Sequence, residues 1–387
     1  MKKLALASLV AASAAMTAPA HAVTVMAEDG WTLGVSGLVN QFAVFTDDDS
    51  ANGTAEDGAE IRDGLLPAFI NFDLKAPTMN GLDMAAHISF SPSTNQNSYG
   101  AQEQREVYFT VDGSFGQILA GKALGLYGSH NILSEQTIWG VGYGTNTGTE
   151  GTTTLGGIGL GYDYASWRSQ IRWTSPDMNG FKAAFAVVDA AGAGLLLSGK
   201  PTGPITTGGE AGDKLRYEGD LSYAGAFDGG SFKAWLSGAV QDHESLPEDA
   251  RYWTVGSTLT FGGFEFMAQY SDAEDSISEA VDSNGAAINA ATGEAEWSQY
   301  VVQAGYRFAG TTLVSVNYSE LEDKSSSFNR TERYGDAGDD TIERWTVGIY
   351  HDVNANLKLV AEYTGVEDDN DAGLDQDIFS LGGFFFF

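Results

Sequence analysis

From about residue 30 onward, apolar and polar side chains alternate along much of this chain. Leu66, Ala68, Ile70, Phe72 and Leu74 are apolar, while Asn71, Asp73 and Lys75 fall between them. A period of two marks an extended strand with one apolar face. The pattern breaks over residues 77–81 and resumes with Leu82, Met84, Ala86, Ile88 and Phe90, set against Asp83, His87 and Ser89. Two such runs joined by a short turn predict a β-hairpin. Six more pairs of runs flank short turns at 112–116, 175–180, 227–230, 262–263, 309–310 and 352–356. Seven hairpins give fourteen strands, and unpaired runs at 31–45 and 378–387 bring the expectation to sixteen.

The connections fall into two kinds. All the short turns lie on one edge. The other edge carries long, polar, acid-rich segments at 46–61, 91–103, 123–166, 189–213, 242–250, 272–296, 320–340 and 365–375. An even strand number with short turns on one edge and long loops on the other is the layout of a transmembrane barrel. In hydrocarbon each unpaired backbone group costs several kcal/mol, so such a sheet has to close. The rows opposite the apolar ones carry charge, as in Asp73, Lys75, Asp83 and His87, or Lys214, Arg216, Glu218 and Asp220. A water-filled interior accommodates them. Tyr217, Tyr223, Tyr270, Tyr300, Tyr306, Phe308, Tyr318, Trp345 and Tyr363 stand near strand ends, as interfacial girdles require. The fold class expected is therefore all-β, a 16-stranded antiparallel transmembrane β-barrel.

Composition sharpens this picture. Residues 1–22 read as a secretory signal: Lys2 and Lys3, a short apolar run, and the small-x-small site Ala20-His21-Ala22. The barrel domain is expected over 23–387. The formal net charge is −32, and −34 without Lys2 and Lys3. Such a charge argues against nucleic acid as a partner and favours cations. There are no cysteines, so neither disulfides nor thiolate chemistry contributes. No His-Glu-x-x-His or Gly-x-Ser-x-Gly motif occurs, and Gly116 to Lys122 lacks the hydroxyl residue that would complete a phosphate loop. The expectation is that the protein is not an enzyme and needs no cofactor. The acid runs at 47–49, 336–340 and 367–369 offer hard oxygen ligands, so loop-bound Ca²⁺ or Mg²⁺ is a secondary expectation.

Two short stretches carry a family resemblance. Phe115-Gly-Gln-Ile-Leu-Ala-Gly-Lys122 resembles the fifth strand of the general diffusion porins of Gram-negative outer membranes, with Lys122 where that family has arginine. Arg168-Ser-Gln-Ile-Arg-Trp-Thr-Ser-Pro176, followed by Gly180-Phe181, resembles the sixth strand and its turn, with Trp173 in place of tyrosine. The terminal Phe387 resembles the aromatic end by which outer-membrane barrels are accepted for assembly.

The resemblance implies a homotrimer in outer-membrane lipid, each barrel passing small hydrophilic solutes and ions. It also implies that the third long loop, 123–166, folds into the barrel and narrows it. The bases expected at that constriction are Lys122, Arg168 and Arg172. The acids are Glu135 and Glu150, with Asp163 as a further candidate; which of Glu135 and Glu150 faces the bases is left open. Rings of charge at such a narrowing set ion preference, and the negative total favours cations. A substrate-specific channel, for sugars for example, is the alternative, with Tyr127, Trp139 and Tyr143 as a possible aromatic line. A barrel hydrolase or adhesin, built around Ser129 and His130, is a third reading.

Overall fold

The computed structural model describes residues 23–49, 57–92, 94, 102–103, 105–142, 157, 167–189, 214–242, 249–276, 295–324, 340–368 and 375–387. The expected signal segment lies outside them. In chain order the strands are β1 (Val23–Glu28), β2 (Trp31–Asp48), β3 (Gly58–Arg62), β4 (Phe69–Lys75), β5 (Asp83–Pro92), β6 (Gln102–Glu103), β7 (Val107–Gly113), β8 (Gly116–Leu124), β9 (Trp167–Thr174) and β10 (Phe181–Asp189). They continue as β11 (Leu215–Phe227), β12 (Gly230–Gln241), β13 (Ala250–Phe261), β14 (Phe264–Ser276), β15 (Ala295–Phe308), β16 (Thr312–Asp323), β17 (Asp340–Asn354), β18 (Leu357–Asp368) and β19 (Asp375–Phe386).

These strands make sixteen lanes of one closed antiparallel wall. β3 and β4 share a lane, because both pair with the same edge of β2, at Phe42 to Thr46 and at Thr32 to Leu38. β6 and β7 likewise share a lane along β5. The wall closes where β19 pairs with β2, from Gln376↔Asp48 to Phe386↔Leu38. Backbone bonds of 2.8 and 3.0 Å between Gly37 and Phe387 finish the seam. β1 is an addition that the alternation did not predict. It folds back on β2 through Asp29-Gly30, whose φ angles of 51° and 84° suit a two-residue hairpin turn, and extends the lane of β19.

The outward rows are those expected. Ile171 is 64% and Leu221 59% exposed, while their neighbours Arg172 and Asp220 are 6% and 8% exposed. Two aromatic girdles are present. One near the long-loop edge contains Trp253–Tyr270, Tyr300–Tyr318 and Trp345–Tyr363 pairs at 5.4–5.9 Å. The other, near the short-turn edge, contains Phe181–Tyr223 and Phe264–Tyr306 at 4.6 and 4.8 Å.

Two expectations need correction. Leu66 and Ala68 do not continue the row of Ile70, Phe72 and Leu74; they belong to residues 63–68, which leave the sheet and are buried. Pro67 has no N–H for the ladder, so the strand breaks there. The inner face is also less polar than the rows at Asp73 and Arg216 suggest. From β12 to β19 it carries Trp235, Tyr252, Met267, Trp297, Val301, Leu313, Tyr350, Val360 and Phe384. These pack against Ile132, Ile138 and Val141 of the long third connection, which keeps that side of the interior dry.

Leu381 faces outward at the middle of β19, opposite Ala361 and Ala43. Leu381→Arg is expected to destabilise the barrel by about 2–4 kcal/mol, the cost of a basic side chain at the bilayer midplane. Equilibrium refolding into phospholipid vesicles measures this, and an unchanged midpoint would place β19 away from lipid.

Candidate functional site

The described part of the long connection after β8, residues 125–142, runs inside the barrel, along the wall. At its root, Leu126 N and Tyr127 N donate to Glu218 Oε2 of β11 at 2.6 and 3.2 Å. A short helix, α1 (Ser129–Ser134), follows, entered through Gly128 at φ 72°. Asn131 then accepts from Trp235 Nε1 of β12 at 2.8 Å and donates to Thr254 Oγ1 of β13 at 2.9 Å. A 3-10 turn, Gln136–Trp139, comes next, with the Glu135 carboxylate capping it at Thr137 N, 3.1 Å. Gln136 N donates to Gln303 Oε1 of β15 at 2.7 Å, and Glu135 accepts from Asn317 Nδ2 of β16 at 2.9 Å. Trp139 sits against Phe384 and Phe386 of β19, at 5.5 and 5.9 Å. Val141 N donates to Glu362 Oε2 of β18 at 3.2 Å. The partners lie on β11 to β13, then on β15 and β16, then on β18 and β19, so the segment follows that part of the inner circumference.

Arg168 and Arg172 share the inner face of β9 with Gln170. Their positions by the loop root follow from β9 pairing with β8: Gln170 Nε2 donates to Ala123 O at 2.8 Å and Arg172 Nη1 to Leu124 O at 3.3 Å. A third base, Arg216, joins them from β11, with Nε 2.7 Å from Glu218 Oε1. These bases are compensated. Glu218 feels both Arg216 and Arg168. Glu106, Glu218 and Asp220 all act on Arg172. His130 of α1 approaches Asp220 at 3.1 Å.

Lys122 does not join this cluster. The register pairs it with Val107 and Ser169, and alternation puts it in the outward row of Ile118 and Ala120, where it is exposed. The alternation of Ile118, Ala120 and Lys122 in the sequence carries that row. Glu135 is inside the barrel but does not face Arg168 and Arg172. It is 3% exposed, and the base acting on it is Arg344 of β17. Burial pushes its carboxyl above the ordinary glutamate range, and Arg344 opposes that shift. Glu150, Asp163 and Tyr143 lie outside the described residues. Tyr127 is 1% exposed, so it and Trp139 are built into the loop's own core. Ser129 Oγ donates to Leu126 O at 2.9 Å and is not paired with His130.

Several inward charges were not among the expected site residues. Arg344 lies under the loop between Glu135 and Glu362, and is 2% exposed. On the opposite flank His87 Nδ1 is 2.8 Å from Asp73 Oδ1, and its ring stacks on Tyr108. Toward the short-turn edge a chain of ion pairs links Glu265, Arg307, Asp352 and Lys358, at 2.5, 3.6 and 2.5 Å. Their inward parity was legible, but not their partners, which come from strands far apart in sequence. Among the described residues no group of three or more His, Cys, Asp or Glu is arranged to hold a metal ion.

Removing Arg344 leaves Glu135 and Glu362 buried without their counter-charge. Arg344→Met is expected to cost about 3–5 kcal/mol, the usual result of breaking a buried pair from one side. Adding Glu135→Gln should recover part of the loss. Denaturant midpoints followed by tryptophan fluorescence give the double-mutant cycle; no loss in the single variant would mean that water already solvates the pair.

The fold is similar to that of solved outer-membrane proteins. The anion-selective porin of Comamonas acidovorans matches with a TM-score of 0.63 at 13% identity, over 92% of this chain and 100% of that one. OmpF of Salmonella typhi, solved with daunomycin, matches with 0.63 at 14% identity, over 94% and 99%. OmpT of Vibrio cholerae, in a trimer form, matches with 0.57 at 13% identity, over 93% and 100%. At such identities the likeness speaks for the fold. No curated protein sequence matches this chain. The profile of the Gram-negative porins matches residues 5–371. With a closed sixteen-lane wall and a loop along its inner face, the chain belongs to the Gram-negative porin family and is an outer-membrane channel protein.

Proposed function

We propose that this chain forms a homotrimeric, water-filled channel for passive diffusion of small hydrophilic solutes, with a preference for cations. One observation carries the reading: residues 125–142 of the third connection are held inside a closed barrel by bonds from β11 round to β18, so they narrow the interior without being free to leave it. The inner bases are already matched by Glu218, Asp220 and Glu106, so they offer an anion little uncompensated charge. The net charge of −32 then dominates at the mouths. The burial of Tyr127 and the enclosure of Trp139 support broad diffusion over a sugar-specific aromatic line.

Association into trimers is supported by the outer face. Near the long-loop edge, girdle tyrosines and tryptophans stand on β11 and β13 to β18. On the flank of β2 to β9 the described outward residues include the exposed Gln41, Lys122 and Ser169, which suit a protein neighbour better than hydrocarbon. The oligomer of a trimeric structural relative points the same way.

In planar bilayers under a KCl gradient, the wild-type reversal potential is expected to give a potassium-to-chloride permeability ratio above one; a ratio below one refutes cation preference. Arg172→Gln should raise that ratio by up to about five-fold, the effect of ~1 kcal/mol of Coulomb energy at close range in water. A monomeric mass in mild detergent by light scattering would refute the trimer.

A further inference from the structure

The break in the β3–β4 lane does more than interrupt a strand. Residues 63–68 turn into the barrel and are buried throughout. Asn40, inward on β2 and 2% exposed, replaces the missing ladder with its side chain. Its Oδ1 accepts from Gly64 N at 2.7 Å, and its Nδ2 donates to Leu66 O at 2.7 Å. Between those two anchors, Leu65 N points at the pore loop and donates to Gly140 O at 2.7 Å.

The contact permits no extra atom. A Cβ on Gly64 would lie 2.6 Å from Gly140 O and 2.8 Å from Phe42 Cε2. A Cβ on Gly140 would lie 1.6 Å from Glu362 Oε2. Glu362 is itself held by Tyr350 OH at 2.6 Å and accepts from Val141 N. The loop tip, meaning the far end of the described run 125–142 around Gly140, is therefore clamped between an inward backbone turn on one side and a fixed carboxylate on the other. Leu65 and Leu66 join the same buried apolar cluster as Ile138 and Val141.

We propose that residues 63–66 act as a peg that fixes the pore-loop tip, and that Asn40 is the positioning residue that holds the peg. The peg thereby sets the free aperture, although Asn40 itself is shielded from passing solutes. Losing the Asn40 bonds lets the tip leave Glu362 and swing toward the lumen, which a single channel registers as brief partial closures. The inference rests on the channel reading above.

The experiment is single-channel recording of folded, oligomeric protein carrying Asn40→Ala, Gly64→Ala or Thr364→Val. The last variant removes a different buried hydrogen bond, Thr346 to Thr364 at 2.8 Å between β17 and β18, in which no peg residue takes part. Asn40→Ala and Gly64→Ala should each raise the fraction of time in partially closed states about tenfold, the factor that one buried hydrogen bond supplies. Thr364→Val should leave it at the wild-type level. If Asn40→Ala does not fold, Asn40→Asp, which keeps the acceptor for Gly64 N, is recorded in its place with the same expectation. Steady currents in the Asn40 and Gly64 variants overturn the peg while leaving the channel reading intact. Equal flicker in Thr364→Val also overturns it. Folded wild-type oligomer that conducts nothing overturns the channel reading itself.

Discussion

Hydrocarbon offers no partner to a peptide N–H or C=O, and that constraint governs everything else in this molecule. It is why sixteen lanes close on themselves through β19 and β2, and why the chain's last backbone groups bond to Gly37. It also explains what happens where a lane fails. Pro67 cannot complete the ladder, so Asn40 supplies both a donor and an acceptor from its side chain. The unpaired backbone turns inward, where the pore loop provides the remaining acceptor at Gly140.

Closure creates an interior that must then be organised. The pore loop lies on an apolar inner wall from β12 to β19, so its placement is a burial event as much as a polar one. Packing keeps water from that side, which raises the stakes of the charges trapped there. Glu135, Arg344 and Glu362 form one such group beneath the loop's far end. Arg168, Arg172 and Arg216, set against Glu218, Asp220 and Glu106, form another by its root. Each group thus holds both signs, three bases against three acids by the root and one base between two acids beneath the far end. This differs from a plain picture of loop acids on one side of a gap and wall bases on the other. Away from the loop the inward acids are less enclosed, and Asp73 and Asp352 retain 43% and 38% of their side-chain exposure while pairing with His87 and Arg307.

Alternation along the chain determined the strand number, the two edges, the outward rows and both girdles, because a period of two is a local property of a strand facing lipid on one side. It also determined that Arg168, Arg172 and Arg216 face inward, whereas Lys122, expected among them, stands in the outward row. What alternation did not carry is anything that depends on which lanes meet across the interior. The break at 63–68 reads as strand in its apolar pattern, because Leu66 and Ala68 keep the period while Pro67 removes the bond. β1 is short, and its partner lies across an Asp-Gly turn that the pattern did not isolate. The choice of Arg344 as the base acting on Glu135 joins residues some two hundred positions apart, through a loop whose path follows from burial against β12 to β19. Local chemistry settles which face a side chain takes; only the closed wall, with the loop laid inside it, decides which charges meet.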